Sequence, residues 1–342
     1  MPVARVISKA AFGTLERLHL FDILSRTDWR RSQLVILCYH GVAQWDEHLW
    51  RPDLYLSPET FEARLASLKA CGANVLPLGE ALERLARNAL PPRSVVITFD
   101  DGFTDFCSKA APALASYGYP ATIYLTTHYT RHRVPVSNLM IDYLLWKAGA
   151  RSIAVPECGI HRPLEIAGPR SRIEISQRII RRAESRQLGT CGKNEMLSQI
   201  AERLGIDYQQ ILRSRILQIL SGDEVNQLSA AGFGFELHTH RHRTPDSEAV
   251  FEEEIRENRR LVFKFTGVDP RHFCYPSGRY SQQLRPWLSR CGIRSATTCE
   301  FGVAKLDSDL FQLPRILDHD HWCASKFEGV VAGFPALTRS CS

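Results

Sequence analysis

Early in the chain, short apolar segments alternate with helical patterns four times, and this alternation limits the possible folds more than any other feature. The segments are Leu34–Tyr39, Ala73–Leu76, Val95–Phe99 and Ala121–Thr126. Between them, apolar residues recur at helical spacing behind N-cap and proline signals such as Ser57-Pro58-Glu59. Each apolar segment is unbroken, which suits a strand buried on both faces. The sequence therefore predicts a parallel α/β architecture.

The alternation stops for about a hundred residues in the middle of the chain. A polar, proline-containing stretch over residues 151–172 is followed by helical patterns, and we interpret residues 128–225 as a largely helical insertion. Strand and helix patterns then resume up to about residue 317. We therefore predict one barrel-like domain over residues 31–330, although a length of 342 residues suits two domains about as well.

Residues 1–30 have the pattern of an amphipathic helix, with Val3, Ile7 and Leu15 on one stripe. They lack the uninterrupted apolar region of a secretory signal, which favours a cytoplasmic protein. The ten cysteines are scattered without a Cys-x-x-Cys pair, and this agrees with a reducing compartment. The helix could pack on the domain or lie on a membrane surface.

The net charge of +6 is mild and predicts no nucleic-acid partner. Most of the excess lies between Arg151 and Leu220, where twelve Lys or Arg residues face seven Asp or Glu residues. A solvated helical face explains this excess more simply than an anionic partner does. Peripheral membrane contact through the N-terminal helix or the basic insertion stays an alternative, and the sequence does not define the oligomeric state.

Two of the predicted strands end in residues that bind metals. Asp100 and Asp101 follow Val95–Phe99, and a second run, Phe233–Leu237, is followed by His238 and His242 within His-Thr-His-Arg-His. In a closed parallel barrel the loops after the strands share one face, so these side chains are expected to converge. An Asp-Asp-Gly turn or a chance pair of histidines would explain either feature alone.

Together these residues predict an open catalytic metal site. Two imidazoles four residues apart can point the same way, and Asp101 would complete a three-ligand set with positions left for water and substrate. If Asp101 is bound to the metal, Asp100 can stay ionised beside it and act as the base. The prediction is therefore Asp101, His238 and His242 as ligands and Asp100 as the catalytic base.

These motifs resemble those of the polysaccharide deacetylases, the chitooligosaccharide deacetylase homology domain of carbohydrate esterase family four. Thr98-Phe99-Asp100-Asp101-Gly102 and His238-Thr239-x-x-His242 are similar to the first two motifs of that family. Other agreeing segments are Tyr39-His40-Gly41-Val42, Ser57-Pro58-Glu59-Thr60-Phe61, Pro120-Ala121-Thr122 and Tyr275-Pro276-Ser277-Gly278-Arg279-Tyr280. The resemblance covers roughly residues 34–127 and 225–320.

The resemblance implies a distorted (β/α) barrel of about seven parallel strands that carries a divalent metal, with Zn²⁺ the expected ion. It implies hydrolysis of an N-acetyl group on an amino-sugar polymer. The backbone N–H of Ser277 would stabilise the oxyanion, and Tyr280 belongs to the same substrate-lining segment. The general acid would be a histidine after the last strand, with His319 preferred and His321 as the alternative.

The chain departs from the family pattern at several positions. Cys274 stands where the best-known members have an arginine that orients the catalytic aspartate, and Ser277 replaces an aromatic residue. Arg315 could contact a carboxylate of the site. His40, just after the first strand, could reach the site or have a structural role. His240 is expected to face away from the ligands.

Three functions fit the sequence. The first is a metal-dependent N-deacetylase of an N-acetylhexosamine-containing polysaccharide, oligosaccharide or lipid-linked glycan. The second is a metal-dependent amidase or deformylase for a small amide, since loops rather than the barrel decide the substrate. The third, a non-catalytic carbohydrate-binding relative, is disfavoured because the four metal-site positions are intact.

Overall fold

The computed structural model describes residues 30, 32–149 and 151–333 in two compact units. The first unit contains residues up to His128 and from Gly222 onward, and the second contains Tyr129–Ser221. The N-terminal helix predicted over residues 1–30 lies outside the described residues, apart from Arg30. None of the described helices has an apolar stretch long enough to cross a bilayer.

Seven parallel strands form a closed barrel in the first unit. They are β1 Gln33–Tyr39, β2 Ser94–Asp101, β3 Thr122–Leu125, β4 Gly234–Leu237, β5 His272–Cys274, β6 Ser295–Phe301 and β7 Leu313–Leu317. Each strand pairs with the next in this order, and β7 returns to β1 through the pairs Ile316 with Leu37 and Leu317 with Cys38. The predicted barrel of about seven parallel strands is confirmed.

Helices surround the barrel, as the alternation of strand and helix patterns in the sequence predicts. In this unit they are Glu47–Trp50, Pro58–Ala70, Leu78–Ala86, the π-helix Phe106–Ala110, Ala111–Tyr117, Gly222–Ala230, Glu248–Thr266, Leu284–Arg290 and Ala324–Val331. The Ser57 side chain caps Pro58–Ala70 by accepting from the N–H of Thr60. Short strands Gly41–Val42 and Tyr55–Leu56 pair with each other, Asn74–Val75 pairs with β2, and Ala304–Lys305 pairs antiparallel with β1.

Alternation along the strands separates two apolar layers. Ile36, Val96, Tyr124 and Leu313 belong to one buried cluster, which also contains apolar residues of the helix Leu78–Ala86. Residues of the opposite parity pack toward the surrounding helices. In β2, for example, the ring of Phe99 lies 4.8 Å from that of Phe106. The parity of β2 that contains Val96 also contains Asp100, so this carboxylate belongs to the inner layer.

The second unit is mainly helical but contains a β-hairpin. Its helices are Ser137–Lys147, Pro169–Ser185, Thr190–Arg203 and Tyr208–Ser214. The hairpin pairs Ser152–Val155 antiparallel with Ile160–Glu165, within the polar, proline-containing stretch for which the sequence predicts no strand. Leu144, Ile179 and Ile200 are fully buried in this unit.

Candidate active site

The barrel brings the ends of β2 and β4 to one level through β3. Asp101 pairs with Leu125, and Leu125 pairs with Leu237, the residue before His238. Strand β2 extends through Asp101, so both carboxylates belong to the strand instead of following it. Continuous register therefore places Asp101 level with Leu237, the residue directly before His238.

Asp101, His238 and His242 converge at this level. Oδ1 of Asp101 lies 3.3 Å from Nε2 of His238 and 3.2 Å from Nε2 of His242. All three side chains offer ligand atoms within 4.8 Å of one another. Asp101 and His242 have positive φ angles of 67° and 52°, a backbone region that non-glycine residues rarely adopt. Strained backbone at both residues is typical of a functional site.

Hydrogen bonds fix which nitrogen of His238 faces Asp101. Nδ1 of the fully buried His238 ring lies 2.8 Å from the carbonyl oxygen of Cys274, so Nδ1 carries the proton and donates it there. In the neutral ring, Nε2 would then be the nitrogen with the lone pair, and it lies on the side of Asp101. This arrangement is common for metal-binding histidines, whose second nitrogen is held by a carbonyl or carboxylate.

The electrostatics of this triad fit a bound cation. Oδ1 of Asp101 is buried and faces the two imidazoles without accepting a well-aligned hydrogen bond. Burial raises the pKa of Asp101, but His242 and His238 outweigh it and lower the pKa to about 2. Burial alone would lower the pKa of His238. Cys274, Asp101 and Asp100 outweigh burial, so the pKa of His238 is raised. The carboxylate of Asp101 is therefore ionised, and the raised pKa of His238 indicates surroundings that attract positive charge, which a divalent metal would supply.

Asp100 lies beside the triad in a buried ion pair with Arg315. Nη1 and Nη2 of Arg315 lie 2.7 Å from Oδ1 and Oδ2 of Asp100, respectively. Burial raises the pKa of Asp100, but the charge and hydrogen bonds of Arg315 hold that pKa well below its usual range. Asp100 is therefore ionised at neutral pH.

Two thiols complete the surroundings of Asp100. Sγ of Cys274 lies 3.4 Å from Oδ2 of Asp100 and 3.1 Å from Nη2 of Arg315, and Sγ of Cys38 lies 3.7 Å from the same carboxylate oxygen. The thiol of Cys274, in β5, therefore contacts the guanidinium of Arg315, which comes from β7. His40 acts electrostatically on Asp100 and lowers its pKa.

A second possible ligand group, Asp100 with His238 and Cys274, is entirely buried. Arg315 already neutralises Asp100 in that group. The group containing Asp101 is the better candidate because the His242 side chain is 36% exposed, which gives substrate and water a way in.

The remaining predicted residues lie on loops that follow other strands. Ser277, after β5, is exposed with φ of 56°, and the Tyr280 hydroxyl lies 2.6 Å from Nε2 of Gln312. The half-buried His319 ring stacks on Trp322 at 5.7 Å. Roles for Ser277, Tyr280 and His319 stay predictions.

Asp318 supports the loop of His319. Its Oδ1 accepts from the His319 N–H at 2.9 Å, and its Oδ2 lies 2.9 Å from Nε of Arg64. Burial lowers the pKa of His319 more than Asp318 and Asp53 raise it. His321, the alternative acid, is exposed.

Two residues of the helix Glu248–Thr266 hold the ligand loop, and sequence reasoning missed both. Asn258 accepts the N–H of His238 at 2.9 Å, and Glu254 accepts the N–H of Arg241 at 2.7 Å. In the sequence, the two residues are marked only by their spacing of one helical turn. The same spacing occurs in any buried face of a helix, so it does not indicate a role in the site.

The sequence model of the polysaccharide deacetylase family matches residues 87–168 and 193–296. YxkH of Bacillus subtilis (strain 168), a protein named as a polysaccharide deacetylase, is 33% identical over 103 residues. That match covers 30% of this chain and 35% of YxkH, so the chain matches about a third of the length of this curated relative.

Solved structures share the fold at low identity. PplD, a deacetylase of Streptococcus pyogenes in complex with acetate, has a TM-score of 0.58 at 19% identity, covering 88% of this chain and 98% of PplD. IcaB from Ammonifex degensii has a TM-score of 0.53 at 18% identity, covering 90% of this chain and 97% of IcaB. BC0361, a polysaccharide deacetylase from Bacillus cereus, has a TM-score of 0.53 at 17% identity, covering 88% of this chain and 69% of BC0361.

Proposed function

This chain belongs to the polysaccharide deacetylase family, and from that premise we propose that it is a metal-dependent hydrolase of N-acetyl groups. Its substrate would be an N-acetylhexosamine-containing polysaccharide, oligosaccharide or lipid-linked glycan. The products would be acetate and a free amine. The observation that carries the proposal is the convergence of Asp101, His238 and His242 within 4.8 Å beside the ionised Asp100.

Asp101, His238 and His242 would hold the metal, with Zn²⁺ as the proposed ion. Imidazole and carboxylate ligands with an open side suit catalytic zinc. When bound, a divalent cation polarises the acetyl carbonyl and acidifies the attacking water. His238 is prepared for this role because Cys274 holds its other ring nitrogen.

Asp100 would accept a proton from the attacking water. Arg315 keeps it ionised, so a proton acceptor is present throughout the neutral pH range. The strong ion pair also makes Asp100 a weak base, and acidification of the water would offset this weakness. Arg315 is proposed as the residue that orients the base.

His319 would give a proton to the departing amine nitrogen, and the backbone N–H of Ser277 would stabilise the developing oxyanion. The water oxygen would bond to the acetyl carbon first, and the C–N bond would break as the resulting oxyanion collapses to acetate and the nitrogen takes up the proton from His319. Tyr280 would line the substrate path after β5. Location in the cytoplasm or at a membrane surface stays a prediction.

The test is release of acetate and free amine from N-acetylated oligosaccharides, lipid-linked sugars, simple amides and formamides. Exhaustive chelation should abolish release, and Zn²⁺ or Co²⁺ should restore it. Activity that survives chelation would contradict metal dependence. Turnover confined to small amides would instead favour the amidase or deformylase alternative.

A further inference from the structure

We infer that one face of the helix Glu248–Thr266 sets the metal affinity of the site by holding the loop that carries His238 and His242. The face consists of Glu254 and of Glu257 and Asn258, which follow it by three and four residues and so lie one turn away on the same side of the helix. This inference rests on the proposed function, since it concerns the proposed ligands. Glu254 and Asn258 are assigned as positioning residues that act through the loop.

Asn258 connects His238 to the end of β3. Its Oδ1 accepts the N–H of His238 at 2.9 Å, and its Nδ2 donates to the carbonyl of Leu125 at 2.9 Å and to Oγ1 of Thr127 at 3.1 Å. The Asn258 side chain is fully buried. Leu125 also pairs with Asp101. The Asn258 side chain therefore connects the backbone of His238 to the strand that pairs with Asp101.

Glu254 holds the part of the loop between the two histidines. It accepts from the backbone N–H of Arg241 at 2.7 Å, from Nη1 of Arg241 at 3.0 Å and from Nε of Arg243 at 2.9 Å. The Glu254 side chain is fully buried, whereas the Arg243 side chain is 54% exposed. A buried charge with several charge-assisted hydrogen bonds fixes loop geometry more firmly than a surface pair does.

Glu257 adds a contact to the residue that faces away from the ligands. Its Oε2 lies 3.3 Å from Nε2 of His240 and 3.4 Å from Nη1 of Arg241. His240 is thereby held against the helix, and Nδ1 of its ring lies 2.9 Å from Oγ1 of Thr127. His240, Arg241 and Arg243 therefore contact the helix, whereas the rings of His238 and His242 face Asp101.

The loop needs such support because its backbone is strained. Thr239 and His242 have φ angles of 61° and 52°, which cost energy in non-glycine residues and persist only when the surroundings enforce them. Within the loop, Oγ1 of Thr239 accepts the N–H of Arg243 at 3.1 Å. The helix accepts the backbone N–H groups of His238 and Arg241, so it would preorganise both imidazoles before a metal binds.

The experiment compares metal affinity in the full chain carrying Glu254→Gln or Asn258→Asp with that of the wild type. The matched control is Glu253→Gln on the same helix. The Glu253 side chain is 54% exposed, and its Oε1 lies 3.7 Å from Nη2 of the exposed Arg256. Zn²⁺ affinity is measured by competition with a chromophoric chelator, and coordination geometry by the visible absorption spectrum of the Co²⁺-loaded protein. Circular dichroism and the melting temperature of the metal-free protein report folding.

We expect both variants to bind Zn²⁺ about 10- to 100-fold more weakly than the wild type, the usual effect of removing residues that support ligands. Their Co²⁺ spectra should also change, while Glu253→Gln matches the wild type. If Glu254→Gln does not fold, Arg243→Gln removes one of the same contacts from the exposed side and should still weaken binding. Folded variants with wild-type affinity and spectrum would overturn the inference alone. A wild type that binds no metal would overturn the proposed function with it.

Discussion

The Arg315 guanidinium donates two parallel hydrogen bonds to the Asp100 carboxylate, Nη1 to Oδ1 and Nη2 to Oδ2, each 2.7 Å long. The side chains are 0% and 3% exposed, so the pair lies inside the barrel away from water. Arg315 comes from β7, whereas β5 places Cys274 against the same two groups. A charge pair at this depth is neutral as a unit and costly when either member is missing.

Arg315→Met should therefore lower the free energy of unfolding by about 3 to 5 kcal/mol, because it leaves the Asp100 charge buried without a partner. Adding Asp100→Asn should recover part of this loss, since the second change removes the stranded charge. Urea unfolding of the four proteins of the cycle measures the coupling. Strictly additive losses would show that the two side chains do not interact.

The two adjacent carboxylates should respond differently to loss of charge. Asp101→Asn should abolish stoichiometric binding of Zn²⁺ because Asp101 provides the oxygen nearest to both imidazoles. Asp100→Asn should keep the metal yet lose turnover by orders of magnitude, as expected when a base is removed. Metal content of the folded variants and acetate release separate the two roles. Equal metal loss in both variants would reverse the assignment.

The sequence predicts the barrel because β1, β2 and β3 are buried along their whole length and contain apolar runs. The run Val95–Phe99 nevertheless underestimates β2, which continues through Asp101. Hydrogen bonding to β3 persists there, while the side chains become polar because they enter the site. The apolar run ends at Phe99, where the polar residues of the site begin, so hydrophobicity does not indicate that the strand continues to Asp101.

Contacts of the site are harder to predict than its ligands. Arg315 lies two residues after Leu313 on the same face of β7, so its inward direction follows from alternation. The identity of its partner, Asp100, does not follow from the sequence, because the pairing of β7 with β1 determines which strand end Arg315 meets. The roles of Glu254 and Asn258 depend on a strained loop whose course has no local sequence signal.

Gly102 should tolerate no side chain, because a Cβ there would lie 2.5 Å from Cδ1 of Leu125 and its φ angle is 82°. Gly102→Ala should reduce stability by about 1 to 3 kcal/mol from overpacking and backbone strain. Gly118→Ala is the matched control, since it has a φ angle of 67° but no atom within 4 Å of its added Cβ. Thermal unfolding compares them, and equal losses would mean that Leu125 moves away at no cost.

His319→Ala and His321→Ala should identify the general acid. His319 is half-buried with its backbone held by Asp318, and His321 is exposed, so the larger fall in kcat is expected for His319→Ala. Zn²⁺ content should be unchanged in both variants. Full turnover in both would exclude this loop as the source of the proton.

His272 should make the barrel less stable in mild acid. Burial, with Arg294 and Arg271, lowers its pKa from 6.5 to about 4 in the folded protein. Between these values the unfolded chain binds the proton more readily, so stability present above pH 6.5 is lost as pH falls toward 4. His272→Gln should remove about 1 to 2 kcal/mol of the fall in unfolding free energy between about pH 7 and pH 5, measured with urea. The exposed His161, replaced by Gln, is the control, and a variant with the wild-type slope would show that His272 titrates alike in both states.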